Sequence, residues 1–183
     1  RAEVGVDLGE QVLFGAGHGA RAYEHRPARA RPRRPLSDGA HRVGSLRRMI
    51  CVLAGGVGAA RLLAGLVRVV DPAEVVVVGN VADDLVLHGL HVSPDLDTIT
   101  YTLADQVDPG RGWGLRDETW QAMEMVGRYG GIDWFNLGDR DLGTHLYRTH
   151  RLSEGATLSE VTAEIVAAWD LGLRLLPVTD DPL

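Results

Sequence analysis

The sequence predicts an α/β fold: a parallel, Rossmann-like three-layer sheet with helices on both faces, truncated at its C-terminal side. Three observations carry this expectation. Met49–Ala54 and Val75–Val78 are unbroken apolar runs of strand length, the pattern of strands buried on both faces. Between them lie the glycine loop Gly55-Gly56-Val57-Gly58 and a helical stretch through Val70, and strand, loop, helix, strand is a βαβ unit with parallel pairing. Pairs of aspartates then follow the apolar segments, where the C-terminal edge of a parallel sheet binds its ligands.

Each element follows in order. Residues 1–48 show no helical or strand periodicity, and Arg26–Pro35 alternates arginine, proline and alanine, the composition of a disordered segment. Met49 is the first methionine, so residues 1–48 are expected to be an Arg-rich, disordered extension outside the natural product, and the organised sequence to begin at 49. No apolar core follows the early charges, so a signal peptide is not expected. After the glycine loop, Leu62, Leu66 and Val69 mark one helical face, and Asp71-Pro72 breaks it. Pro94 and its neighbouring aspartates precede a helix from about Thr98 to Ala104. Residues 108–114 are loop, and Glu118–Tyr129 is helical with Asp117 as its cap. Trp134–Leu137 reads as a short strand-like piece, followed by a helix from about Leu142 to Arg151. Thr157-Leu158-Ser159-Glu160 is a capping box, continued by Val161, Ile165 and Trp169 at helical spacing. Leu173–Val178 is a last strand, and the chain stops in a loop soon after it, as a fragment would.

Composition limits the chemistry. The chain of 183 residues contains a single cysteine, Cys51, and no lysine. That excludes a disulfide framework, a cysteine-only metal cluster, a Walker-A or Schiff-base lysine and a lysine general base. No apolar run reaches the ~18 residues of a membrane span, so a soluble, cytoplasmic protein is expected. The net charge of −6 hides two unlike parts: residues 1–48 hold 10 Arg against 5 acids, and the remainder 9 Arg against 20 acids. An acidic main body argues against nucleic acid and suits magnesium or metal-presented substrates.

Three groups of residues carry chemistry. Small residues in Gly55-Gly56-Val57-Gly58-Ala59-Ala60-Arg61 let backbone amides approach a phosphate at a helix N-terminus. The loop differs from the dinucleotide fingerprint in having Arg61 where the third glycine belongs. Asp83-Asp84, Asp139 with Asp141, and Asp180-Asp181 form three acidic pairs, which at one sheet edge would repel one another without a hard cation. Of Asp95 and Asp97, one is expected to cap the next helix and the other to face the same mouth. Trp113, Trp134 and Phe135 would stack on a flat ring or fill the core. His88, His91, His145 and His150 share no metal-binding spacing and read as surface or polar-network histidines. Arg61 or Arg140 would clamp phosphate or pair with an aspartate.

At these residues the chain resembles the 2-phospho-L-lactate transferases of deazaflavin coenzyme (F-420) biosynthesis, in their actinobacterial form. The resemblance runs from Met49 to Leu183 and is carried by the glycine loop, Ala82-Asp83-Asp84, Gly89–Thr98, Gly112–Thr119, Leu137–Asp141 with Thr144-His145, and Leu176–Asp181. It implies a Mg²⁺-dependent transfer of a phospholactyl or phosphoenolpyruvyl group from a guanosine diphosphate-activated donor to the terminal ribityl hydroxyl of the deazaflavin Fo. The products would be GMP and coenzyme F-420-0 or its dehydro form. It also implies that 49–183 is the N-terminal part of a nucleotide-binding transferase domain, with Fo contacts at Asp97 and Asn136, and a homodimer when full length. Together the two lines of reasoning give Gly55, Gly56, Gly58 and Arg61 for donor phosphates, Asp83, Asp84 and Asp97 for the metal, and Asp84 and Asp97 as catalytic carboxylates. One rival is a nucleotide-binding regulator of the same fold. The other is a nicotinamide-dependent oxidoreductase, against which Gly79-Asn80 stands where a ribose-binding acid belongs.

Overall fold

The computed structural model describes residues 49–181; the extension expected over residues 1–48 lies outside the described residues. Three parallel strands, β1 (Ile50–Ala54), β2 (Val75–Gly79) and β5 (Arg174–Pro177), form a sheet in the order β1-β2-β5. The register pairs Val52 with Val77 and Val77 with Leu175. Between these strands come α1 (Gly56–Leu66), a hairpin of β3 (Leu85–Leu87) and β4 (Leu90–Val92), then α2 (Pro94–Leu103), α3 (Gln121–Arg128), α4 (Asp141–Ser153) and α5 (Leu158–Ala168). The α/β class and the parallel βαβ unit are those the sequence predicts. No helix among the described residues is long and apolar enough to cross a membrane.

The main core joins Ala60 and Leu63 of α1, Leu96 and Ile99 of α2 and Val166 of α5 to Val75, Val77 and Leu175 of the sheet. These strand residues alternate, so the helices lie on one face. The other face carries Cys51, Leu53, Val76, Val78 and Leu176, none fully buried, and Leu53 is 81% exposed. The expected second helical layer is therefore not among the described residues. A Cβ on Gly79 would run into Leu96 Cδ2, so glycine at the end of β2 lets α2 pack closely. A second cluster of Leu87, Val92, Met123 and Leu137 seats the hairpin against α3 and the segment before α4.

Several element expectations are corrected. The helix expected from Thr98 starts at Pro94, because proline at the first helical position gives up an N–H that has no helical partner anyway. The β3–β4 hairpin went unpredicted; its turn residues His88 and Gly89 have φ of 53° and 77°, the left-handed pair of a two-residue turn. Trp134–Leu137 is not a strand. The capping box at Thr157 is present, with Thr157 N–H donating to Glu160 over 2.8 Å and Glu160 N–H to Thr157 Oγ1 over 3.2 Å.

The start of α3 is also displaced, to Gln121, and Asp117 does not cap it. The cap is Asp139, which accepts the N–H groups of Gln121 and Ala122 at 3.0 Å each and the Thr119 hydroxyl. In exchange, Glu118 accepts the N–H groups of Arg140 and Asp141 at 2.8 and 2.9 Å, at the start of α4. Each segment thus caps the other's helix. A Cβ on Gly138 would sit inside van der Waals contact of the Glu118 carboxyl. Gly138→Ala is accordingly expected to destabilise the fold by about 1–3 kcal/mol, read as a fall in Tm by calorimetry. An unchanged Tm would mean that Glu118 withdraws freely and that the exchange contributes nothing.

Candidate active site at the sheet edge and the aromatic pocket

The chain leaves β1 through Gly55 and Gly56, and Gly56 has φ of 66°, a conformation glycine takes without strain. The N-terminus of α1 and the end of β2 meet here. Asn80 Nδ2 donates to Asp95 Oδ2 over 2.8 Å and to Asp83 Oδ2 over 3.4 Å. A Cβ on Gly55 would lie 3.1 Å from Asp95 Oδ2, whereas the space beside Gly58 is open. Asp95 therefore faces the glycine loop. Sequence reasoning held it equal to Asp97 and omitted it from the proposed ligands.

Asp84 sits behind this group. Its Oδ2 accepts the Ser93 hydroxyl over 2.6 Å, while its Oδ1 is buried without a protein partner. Burial pushes this carboxyl up to about 6, against the Ser93 hydrogen bond and the charge of Arg148. Asp180 and Asp181 follow β5, and Asp180 Oδ1 caps α5 by accepting Ser159 N–H over 2.7 Å. Two acidic pairs thus lie after sheet strands rather than the three expected. The third, Asp139 with Asp141, follows a loop; Asp139 is a helix cap and Asp141 points into the protein. Arg140 Nη1 is occupied by the carbonyl of Arg116 at 2.7 Å. Arg61 reaches toward the 108–114 loop, its Nη2 lying 3.4 Å from where a Gly112 Cβ would be.

Neither Asp95 nor Asp97 caps α2 through its side chain. Asp97 is buried and paired with Arg148 of α4: Nη2 meets Oδ1, and Nη1 lies 3.2 Å from Oδ2. Nη1 also donates to the His91 carbonyl over 3.3 Å. His145 adjoins this pair, with Nδ1 3.3 Å from Arg148 Nη1 and Nε2 3.4 Å from Asp141 Oδ2. Tyr101 Oη stands 2.6 Å from Asp141 Oδ1 and 2.7 Å from Thr144 Oγ1; its single proton goes to the carboxylate, so Thr144 donates to it.

Burial pushes Asp97 up, opposed by the Arg148 guanidinium and then by His145. It would lower Arg148, but the Asp97 carboxylate more than offsets it and keeps the guanidinium charged. Asp141 is held below the usual carboxylate range, because His145 and the Tyr101 hydroxyl outweigh its burial. Tyr101 is driven up by burial and by the two nearby carboxylates.

Asp97, Asp141 and His145 have ligand-type atoms within 4.8 Å of one another. Both Asp97 oxygens, however, already face a guanidinium, and a second cation there would meet its charge. Asp97 would hold a metal only by giving up its pair with Arg148, whereas Asp84 Oδ1 has no protein partner to give up. Arg148 was missed altogether. Its signal was present in the spacing: Asp141, His145 and Arg148 fall at i, i+4 and i+7 on one helical face.

Above this polar floor opens a cavity of about 370 Å³, lined by Trp113, Trp134, Phe135 and Tyr101 together with Asn136, Asp97, Asp141 and His145. Trp134 and Phe135 meet edge to face at 5.5 Å. The loop bearing Trp113 is organised by Asp108, whose Oδ1 accepts the N–H groups of Gly110 and Arg111 at 2.8 and 3.0 Å. Arg111 lies 5.3 Å from the Trp113 ring centroid and 4.9 Å from that of Trp120. Trp113 and Trp134 are exposed and Phe135 is partly buried against the second cluster, so these aromatic residues serve as pocket walls, with Asn136 beside them.

A sequence model of the family described as 2-phospho-L-lactate transferase CofD matches residues 50–183 of this chain. Curated relatives named phosphoenolpyruvate transferase are 50% identical over 133 residues in Streptomyces griseus subsp. griseus and 50% identical over 146 residues in Mycobacterium tuberculosis. Another, from Mycobacterium avium, is 48% identical over 152 residues. Each comparison covers 72% of this chain, and 42, 44 and 45% of the respective relative. The chain thus spans less than half the length of these relatives.

Proposed function

This chain belongs to the CofD family of 2-phospho-L-lactate transferases, and from that premise we propose that its protein transfers a phosphoenolpyruvyl or 2-phospholactyl group from a guanosine diphosphate-activated donor to the deazaflavin Fo. GMP leaves, and the ribityl hydroxyl of Fo becomes the phosphodiester oxygen of F-420-0 or its dehydro form. The observation that carries this reading is an aromatic pocket with a polar floor set beside an acidic, glycine-lined sheet edge. Such a pocket suits a flat ring, and such an edge suits phosphates that arrive with a cation.

The division of labour follows from the contacts. Backbone N–H groups of Gly55, Gly56 and Gly58 at the start of α1 hold donor phosphate oxygens, and Arg61 adds positive charge from the same helix. Asp83 and Asp84 would hold Mg²⁺, with Asp95 completing the acidic edge. When bound, that ion supplies neutralisation of the charge growing on the GMP leaving group. Trp113, Trp134 and Phe135 sandwich the Fo ring, with Asn136 beside them. Asp97 is immobilised by Arg148, with both of its oxygens engaged by the guanidinium. Its role is to accept the ribityl hydroxyl through a remaining lone pair and so orient it, and to Asp84 falls the catalytic carboxylate role. Positioning and charge neutralisation are most of what phosphoryl transfer needs.

The direct test is mass spectrometry of reactions holding the full-length protein, Fo, Mg²⁺ and each guanosine diphosphate-linked donor in turn. The mass of F-420-0 or dehydro-F-420-0 appearing with GMP is the expected result; unchanged Fo with every donor would overturn the reading. Gly58→Val tests the phosphate assignment. It is expected to weaken guanosine nucleotide binding at least about tenfold while sparing Fo, because the added side chain fills the space where a phosphate would approach the backbone. Equal loss of both ligands in a folded variant would move the phosphates elsewhere.

A further inference from the structure

We propose that His145 is a specificity-determining residue of the aromatic pocket, donating its Nε2–H to a carbonyl oxygen on the edge of the bound ring, and that Arg148 sets the tautomer that makes this possible. The inference rests on the reading that the Fo ring occupies this pocket.

The tautomer follows from what surrounds each ring nitrogen. His145 Nδ1 lies 3.3 Å from Arg148 Nη1. A guanidinium only donates, so a proton on Nδ1 would be set against its N–H groups and its charge, which favours the neutral imidazole with its proton on Nε2. Asp97 Oδ2 is 3.7 Å from the same Nδ1, beyond hydrogen-bond length, and is already matched to Arg148 at 3.2 Å. Without Arg148, Asp97 would instead draw the proton to Nδ1. The buried arginine therefore turns the donor toward the opposite side of the ring.

That opposite side lacks a partner. Nε2 is buried without a hydrogen bond, in a residue only 1% exposed. Asp141 Oδ2 lies 3.4 Å away, too long for a good N–H···O bond, while the Tyr101 hydroxyl holds the other oxygen, Oδ1, at 2.6 Å. His145 and Asp141 both line the pocket floor. A buried donor without a partner is disfavoured unless something supplies an acceptor, and the floor of a pocket is where a ligand does so. The pyrimidinedione part of a deazaflavin presents carbonyl oxygens in the ring plane, the geometry an in-plane donor between aromatic walls would read. A ring of the same size without an acceptor there would leave Nε2–H unpaired and bind less well.

Equilibrium binding of Fo to the full-length protein, followed by the ring's own fluorescence, tests this. His145→Phe keeps the ring volume and removes the donor; it is expected to weaken Fo binding about 10- to 100-fold. His145→Gln places an amide N–H near the Nε2 position and is expected to remain within about threefold of the parent. Trp134→Ala is the control on the underlying reading. If Trp134→Ala weakens Fo binding and His145→Phe does not, the role given to His145 is overturned while the pocket stands. If neither changes Fo affinity, the ring does not bind in this pocket at all, and both fail. ¹⁵N NMR of the histidine ring in the parent protein adds a readout that packing alone would not move. The proton is expected on Nε2 before Fo is added, with the Nε2 resonance shifting more than Nδ1 on titration. A proton found on Nδ1 would overturn the proposal, and this measurement decides the matter if His145→Phe fails to fold.

Discussion

Replacing Arg148 with methionine is expected to destabilise the fold by roughly 3–5 kcal/mol, because removing one member of a buried ion pair leaves the other charge without compensation. In a domain of this size the loss corresponds to a fall in Tm of roughly 6–20 °C. The pair is deeply placed: the Arg148 side chain is 2% exposed and that of Asp97 is 7% exposed. Its pH dependence has a defined sign. Burial raises Asp97 even beside the guanidinium, and without Arg148 only His145 still opposes that rise. A carboxyl whose folded pKa exceeds its unfolded value takes up a proton on folding. The variant is therefore most stable at low pH, and it loses stability as pH climbs from the unfolded value near about 4 through the raised folded one. Thermal melts at pH 5 and pH 8 check this. Arg148→Met with Asp97→Leu should recover most of the loss, since an apolar pair of similar volume replaces the buried ion pair. Equal melts for Arg148→Met and the parent at pH 8 would show the pair to be unimportant for stability.

The parts of this molecule that were legible in its sequence are those set by local chemistry. Apolar runs of strand length on either side of a glycine loop gave β1, α1 and β2, and Thr157 with Glu160 gave the start of α5, because each signal lies within a few residues of the element it defines. The hairpin of β3 and β4 was harder to see, with three residues per strand and a turn opened by His88 rather than asparagine or aspartate. Caps were misread where a side chain serves a distant helix. Asp139 caps α3 from 18 residues away, and Glu118 caps α4 from 22. Nothing local distinguishes an aspartate that binds a ligand from one that caps a helix elsewhere, so the third acidic pair was placed at the sheet edge when it belongs partly to a cap and partly to the pocket floor.

The same ambiguity decided Asp95 and Asp97. Two positions apart on a helix, they diverge by roughly 200° at 3.6 residues per turn, and the sequence showed only that both were acidic. Packing against α4 turned Asp97 inward to Arg148 and left Asp95 at the glycine loop. The difference matters for experiment. Asp97→Asn removes the charge opposite a buried guanidinium, so it is expected to lower Tm as well as turnover. A loss of activity in that variant would not separate a chemical role from a structural one.

Asp84→Asn makes the separation, and it is expected to reduce turnover of the full-length enzyme at least about a hundredfold with no fall in Tm. The stability half of this forecast comes from the surroundings of the carboxyl. Burial disfavours the Asp84 anion, and an amide oxygen accepts the Ser93 hydroxyl as a carboxylate oxygen does, so relief of the buried charge offsets the cost of an amide N–H group without an acceptor where Oδ1 stood. The activity half comes from Oδ1, which is buried with no protein partner. An oxygen left in that condition at the end of β2, beside Asp83, Asp95 and the glycine loop, is placed to bind a hard cation. A cation polarising a phosphoryl oxygen is worth several kcal/mol at the transition state, and each 1.36 kcal/mol is tenfold in rate. Asparagine keeps the shape but gives up the charge that holds the ion. Mg²⁺ should therefore raise the Tm of the parent protein, because it binds the folded state alone, and leave that of Asp84→Asn unchanged. Raising Mg²⁺ should recover part of the variant's turnover if affinity is what was lost. Full turnover by Asp84→Asn at ordinary Mg²⁺ would take the metal away from this carboxylate, and the unpartnered oxygen would then have to be satisfied by water.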